Sequence, residues 1–351
     1  MRFKVFGAGS IGNHLSHAAR TLSWHVDICD VDEDALERTQ NSIYPERYGA
    51  WDESIGLYHS DEAPSGGYDI IAIGTPPDVH LPIALEAIDE RPKAILIEKP
   101  ICGPDLAHLS EFSEAAKTAG IKVFVGYDHV VGEASEKVTD LINAQAGQTA
   151  VTIDVEFREH WGGIFGAHPW LDGPHDSYLG FYKRGGGASG EHSHAINLWQ
   201  HFAHSVGAGR ITEISAQMDF VRDDKVDYDR ICLMQVVTES GLIGRIVQDV
   251  VTNPPRKWAR IQMEDGFIEW QCGIKPGFDA VTSAFSGADA DQLMIEKTRP
   301  DDFIRELKHI QEHLDSEQPS PISLQRGADT MAVVKAAHES ATNKATVKVD
   351  Y

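Results

Sequence analysis

The chain has 351 residues, 42% of them hydrophobic and 24% charged, which is long for one domain and sufficient for two packed cores. Its formal net charge of −23 argues against nucleic acid or an anionic membrane as partner. No stretch approaches the ~20 consecutive apolar residues that span a bilayer.

The opening "MRFKVFGAGSIG" is interrupted by glycines too early to read as a signal peptide. Cys29, Cys102, Cys232 and Cys272 lie far apart and form no CxxC pair. Reduced, buried thiols in a cytoplasmic protein are the expectation.

Strand and helix patterns alternate over the first 130 residues. "FKVFGAG" is a strand ending in glycines, "SIGNHLSHAARTL" a helix and "HVDICDVD" a strand. "EDALERTQNSI" is helical, and "YDIIAIGTPP" is apolar throughout, as a strand buried on both faces should be. "VHLPIALEAIDE" is a helix and "KAILIEKP" a strand; "PDLAHLSEFSEAAKTAG" is a helix and "IKVFVGYDH" a strand. This alternation predicts a parallel, dinucleotide-binding type of α/β domain over residues 1–130.

From about Ala150 the pattern changes to strands: "AVTIDVEFRE", "ITEISAQMDFV", "ICLMQVVTE", "LIGRIVQDVVT" and "WARIQMEDGFIEWQC". These predict a second domain over residues 131–351, built on a large, mostly antiparallel open sheet. Helices follow at "DDFIRELKHIQEHL" and "RGADTMAVVKAAHESA", and the C-terminal helix is expected to pack back on the first domain.

Gly7, Gly9 and Gly12 form G-x-G-x-x-G between the first strand and the first helix, with Ser10 and Ile11 inside the turn. Such a turn lets a pyrophosphate approach backbone N–H groups at a helix N-terminus. Asp30 ends the next strand, where a carboxylate would bind a ribose 2′-hydroxyl. That acid favours NAD(H) over NADP(H), whose 2′-phosphate it would repel; Asp32 is the alternative acid.

"ILIEKPICG" places Glu98 and Lys99 at the carboxyl end of a parallel strand, the edge where open α/β sheets bind ligands. A lysine there can hydrogen-bond a reacting hydroxyl or carbonyl and relay a proton.

The glycine turn, "GTPP" with His80, "EKP" and the following β-rich domain together resemble the Gfo/Idh/MocA oxidoreductases, named for glucose–fructose oxidoreductase and inositol dehydrogenase. The ending "PISLQRGADTMAVVKAAHESATNKATVKV" resembles that family's C-terminal pattern. The resemblance implies a nicotinamide-dependent enzyme acting on CH–OH groups of sugars or sugar derivatives. It implies that Lys99 contacts both cofactor and substrate, that Thr75, Pro76, Pro77 and His80 line the nicotinamide side, and that Glu98 holds a cofactor ribose or the lysine. Asp128 and His129 stand where the family commonly has an asparagine/arginine pattern, and are candidate substrate contacts.

The resemblance also matches "GEHSHAIN" to a family segment of an acid followed by a histidine. It makes His194 the catalytic acid/base and Glu191 its acid partner, with glutamate replacing aspartate and Asn197 replacing a second acid. Histidine titrates near neutrality, as this proton transfer requires. Glu191 and His194 are expected at i, i+3 on one helix face, and the preceding glycines to allow close approach to the cofactor. His192 remains the rival base and a candidate substrate contact. His192, His194, His201 and His204 also raise a zinc reading, but no cysteine joins them and the spacing fits no common ligand pattern, so no metal is expected.

The long insertion from His160 to Arg184 is rich in aromatics, glycine and proline. With neighbouring Arg158 it offers Trp161, Tyr178 and Arg184 as substrate contacts, aromatic faces for sugar rings and cations for a carboxylate or phosphate. A small carbohydrate is the expected substrate, and a homodimer or homotetramer through the second-domain sheet the expected assembly. Two other functions fit the same motifs: a non-catalytic NAD-binding regulator, and an enzyme that retains NAD tightly and processes glycosides.

Overall fold

The computed structural model describes residues 1–145, 147–166 and 168–351. The chain forms two compact units. One comprises Met1–Cys102, Ala107–Asp128 and Arg299–Leu324; the other comprises Gly103–Leu106, His129–Thr298 and Gln325–Tyr351.

The chain opens with β1 (Arg2–Phe6), α1 (Ser10–Thr21), β2 (His25–Asp30), α2 (Glu33–Arg38), α3 (Tyr44–Tyr48) and β3 (Ile55–His59). It continues with β4 (Ile70–Ile73), α4 (Pro77–Ile88), β5 (Ala94–Ile97), α5 (Leu109–Ala119), β6 (Lys122–Val125) and α6 (Glu133–Ala144). Then come β7 (Ala150–Arg158), α7 (Trp161–Gly166), α8 (Gly187–Glu191) and α9 (His194–Ser205). The strands β8 (Ile211–Arg222), β9 (Asp227–Thr238), β10 (Ile243–Asp249) and β11 (Arg256–Met263) follow. Last are β12 (Gly266–Lys275), β13 (Phe278–Phe285), β14 (Asp291–Glu296), α10 (Asp301–His313), α11 (Leu324–Asn343) and β15 (Val347–Lys348).

In the first unit six parallel strands run in the order β3-β2-β1-β4-β5-β6. β4 ("IIAI") and β5 ("AILI") are buried at every position, which is why they read as unbroken apolar runs. The order reverses direction between β1 and β4, and ligands bind beyond the carboxyl ends of the strands at such a switch point. The helix expected from Pro104 starts only at Leu109, because Leu106 and His108 take left-handed backbone angles (φ 58° and 62°). The segment that returns to this unit is α10, where Phe303 stacks on His14 of α1 at 5.0 Å. The C-terminal helix α11 belongs to the second unit instead.

The second unit carries a nine-stranded sheet in the order β14-β13-β12-β11-β7-β10-β9-β8-β15. All its pairs are antiparallel except β7 with β10. β13, β14 and β15 escape the sequence pattern because polar residues dilute their apolar alternation. One sheet face is covered: Ile153, Val155 and Phe157 of β7 are fully buried, and Trp199 of α9 donates its indole N–H to Ile153 O at 2.8 Å. Among the described residues no helix is long and apolar enough to cross a membrane. All four cysteines are free, and only Cys272 is partly exposed.

Candidate active site

The ends of β1, β2 and β4 are tied together at the switch point. Gly7 N donates to Cys29 O and Gly74 N to Phe6 O, both at 2.8 Å. α1 starts hard against this turn: a Cβ on Gly12 would lie 1.9 Å from Gly7 O. A Cβ on Gly9 would meet nothing within 4 Å, so the turn is open on that side. Asp30 closes the turn from β2, its Oδ2 accepting from Ala8 N at 2.7 Å and its Oδ1 from Asp32 N at 3.0 Å. Asn13 and Thr39, both fully buried, brace it from below: Asn13 Nδ2 donates to Gly9 O at 2.8 Å and Thr39 Oγ1 to Ala8 O at 2.5 Å. Ser10 is nearly buried and its carbonyl accepts from Arg47 Nη1 at 3.1 Å; Ile11 is half-buried. No side chain caps the first turn of α1. Open space, uncapped amides and a carboxylate at the end of β2 are what a dinucleotide's pyrophosphate and ribose require, so the residues fit the cofactor.

One strand further on, Thr75 and Pro76 lead into α4. His80 is 1% exposed and links the two neighbouring turns, Nε2 to Thr75 O at 2.6 Å and Nδ1 to Pro100 O at 3.1 Å. Burial lowers its pKa to about 4. Both ring nitrogens face carbonyls of these turns.

Glu98 is 6% exposed at the carboxyl end of β5, followed by half-buried Lys99. Burial, then the charge of Asp128, push the Glu98 carboxyl above its ordinary value, while Lys99 pulls it down. The sequence reading missed Glu306 of α10. It is fully buried, both its carboxyl oxygens lack a hydrogen-bond partner, and burial with Glu98, Asp128 and Asp302 holds it well above the carboxylate range. A signal existed: Glu306 shares the apolar stripe of Phe303, Leu307 and Ile310.

In the second unit the expected single helix is broken. α8 ends at Glu191, His192 leaves helical geometry (φ −95°, ψ 25°), and α9 begins at His194. Glu191 and His194 therefore do not share one helix face. Glu191 Oε2 instead accepts from Tyr178 OH at 3.4 Å. His194 lies with its ring edge-to-face against His129, centroids 4.7 Å apart, and stacks above Phe157 at 6.1 Å. Phe157 and Trp270, both buried on the covered sheet face, stack at 5.8 Å and floor this pair. His192 is 4% exposed. Asn197 Nδ2 reaches Thr330 Oγ1 of α11 at 3.1 Å.

Two glycines of α8 sit where a side chain would not fit. Gly187 has φ +75°, and a Cβ there would sit 2.1 Å from Asp229 Oδ1. A Cβ on Gly190 would sit 2.0 Å from Gly185 O.

The candidates in and beside the insertion have protein partners. Arg158 donates from Nε to Asp249 Oδ2 at 2.6 Å, so its charge is committed to a buried carboxylate. Trp161 is 9% exposed and packs in a core of Leu179, Ala188, Val226, Tyr228 and Val250, with Tyr178 at its margin. Arg184 lies over the Phe181 ring at 5.9 Å. Asp128, 7% exposed, ends a run of the first unit and His129 opens one of the second. Among the described residues, no three of His192, His194, His201 and His204 bring ligand atoms within reach of one ion. His201 is instead held near Thr139 Oγ1 at 3.4 Å, and burial lowers its pKa to about 4.

A family model described as an oxidoreductase family with an NAD-binding Rossmann fold matches residues 1–127. No curated protein matches the sequence. Among solved structures, the chain is similar to levoglucosan dehydrogenase in complex with NADH (TM-score 0.79, 16% identity, covering 100% of this chain and 99% of that one). It is similar to aldose-aldose oxidoreductase from Caulobacter crescentus complexed with glycerol (TM-score 0.77, 17% identity, 99% of each chain). It is also similar to the WlbA dehydrogenase from Bordetella pertussis in complex with NADH and UDP-GlcNAcA (TM-score 0.73, 18% identity, 100% and 99%). At these identities the three likenesses speak for the fold, and the family match for the first unit. Residues 1–127 match the Gfo/Idh/MocA oxidoreductase family model, an NAD-binding Rossmann fold.

Proposed function

We propose that this chain is an NAD(H)-dependent oxidoreductase that moves hydride between nicotinamide and a secondary hydroxyl or ketone of a sugar, sugar acid or sugar derivative. The observation that carries this reading is Lys99 following buried Glu98 at the carboxyl end of β5, on the same sheet edge as the Asp30-closed glycine turn. The solved structures of similar fold that bind NADH and sugar-type ligands support the substrate class.

NAD, when bound, supplies the hydride acceptor or donor; Gly7–Gly12 and Asp30 hold its pyrophosphate and ribose. His194 takes the substrate hydroxyl proton in oxidation and returns it in reduction. Lys99 donates a hydrogen bond to a reacting hydroxyl or carbonyl and relays a proton. Glu191, bonded to Tyr178, holds the His194 imidazole or a substrate hydroxyl. The open sheet face, with Leu233 and Ile243 42% and 60% exposed beside the Arg245 ion pairs to Asp154 and Glu156, is the surface for a homo-oligomer.

The test is an NADH absorbance screen over sugars, polyols and sugar acids with wild type, Lys99→Ala and His194→Ala. Turnover on at least one substrate, falling ~10²–10⁴-fold in each variant with NAD binding retained, is expected. NAD binding without turnover on any substrate would instead mark a regulator. Near-normal turnover by His194→Ala would reject it as the base and transfer the role to His192.

A further inference from the structure

We infer that Gln248 and Asp229 are positioning residues: two buried polar side chains of the sheet clamp the α8–α9 turn and so fix the ring of His194. This rests on His194 being the acid/base.

The clamp is built from the sheet upward. Gln248 of β10 is fully buried, and its Nε2 donates to His192 O at 2.6 Å and to Ser189 O at 3.3 Å. These carbonyls belong to the end of α8 and the turn after it, where helical carbonyls lose their intrahelical partners. One amide group therefore anchors the backbone two residues before His194. Asp229 of β9, also fully buried, grips the other side of Ser189: Oδ2 accepts from Ser189 N at 2.8 Å and Oδ1 from Ser189 Oγ at 3.1 Å. Ser189 Oγ in turn lies 3.0 Å from His338 Nε2 of α11. Gly187 is what lets the backbone come this close to Asp229.

Burying an amide and a carboxylate inside a sheet costs stability unless each finds partners, and an apolar residue would fill the same space without that cost. Their neighbours on the covered face are apolar: Ile246 in β10, Cys232 and Met234 in β9. Gln248 pairs in register with Phe157, the ring beneath His194. The turn and the floor of the imidazole thus hang on adjacent residues of paired strands. A displacement of ~1 Å of a proton-transfer group lowers turnover by about 10²-fold without changing what binds.

The test compares Gln248→Leu, Asp229→Leu and His194→Ala in the full chain, measuring kcat, KM, NAD affinity and Tm on a substrate found in the screen. Gln248→Leu keeps the volume and removes the donor. The expected result is a folded protein with kcat down ~10–100-fold, KM within about 3-fold and NAD affinity unchanged. Asp229→Leu, which removes both acceptor oxygens facing Ser189 N and Oγ, is expected to do the same and serves if Gln248→Leu does not fold. Wild-type kcat in either folded variant overturns the clamp. So does a kcat loss no greater than the unfolded fraction, which would mark packing alone. Full turnover by His194→Ala defeats the base assignment itself; an inactive His194→Ala beside a wild-type Gln248→Leu defeats only the clamp.

Discussion

The amide of Ala8 donates to Asp30 Oδ2 at 2.7 Å, so the acid that ends β2 is part of the glycine turn. On the proposed reading, recognition of the ribose and shaping of the pyrophosphate loop share one carboxylate. Asp30→Ala is expected to weaken NAD binding ~10–100-fold, through the lost ribose contact and a loosened loop, and to cost about 1–3 kcal/mol of stability. Fluorescence titration with NAD and NADP, together with a denaturant melt, measures both. An unchanged NAD/NADP preference would reject Asp30 as the ribose acid.

Gly9 and Gly12 are predicted to separate binding from folding. Gly12→Ala places a methyl 1.9 Å from Gly7 O, where only the backbone could give way. It should lose more than ~2 kcal/mol of stability. Gly9→Ala meets no protein atom and should melt within about 2 °C of wild type, yet bind NAD at least ~10-fold more weakly. Wild-type NAD affinity in Gly9→Ala would mean that the ligand does not approach from that side.

Glu98 ties stability to pH. Burial and Asp128 raise its pKa in the folded chain above the unfolded value. The folded state then keeps a proton that the unfolded state has released, so the stability is present at low pH and is lost as pH rises through the raised pKa. Tm of the cofactor-free protein is expected to fall by several degrees between about pH 5 and 8. Glu98→Gln, neutral throughout, should flatten that arm. A wild-type Tm that holds steady or rises over this range contradicts the prediction.

The first unit was largely legible because its signals are local. An unbroken apolar run such as "AILI" declares a strand buried on both faces, and Gly7, Gly9 and Gly12 declare a turn. The second sheet was legible in kind but not in extent: β13 and β14 carry too many polar residues for alternation to show. The insertion misled for a related reason. Trp161 and Arg158 have the chemistry of sugar and anion contacts, yet one fills a small core and the other neutralises Asp249. Composition states what a side chain can do, and packing decides which partner it meets.

The sequence by itself determined the dinucleotide turn, its acid, the EKP strand and the segment bearing Glu191, His192 and His194, because spacing along the chain encodes them. Only the tertiary structure decided that Glu191 and His194 fall on separate helices, that His194 rests against His129 over Phe157, and that Glu306 is buried beside Glu98. It also decided that Gly187 in α8 makes room for Asp229. Each of these depends on residues tens to hundreds of positions apart, brought together by sheet register and helix packing that no local periodicity records.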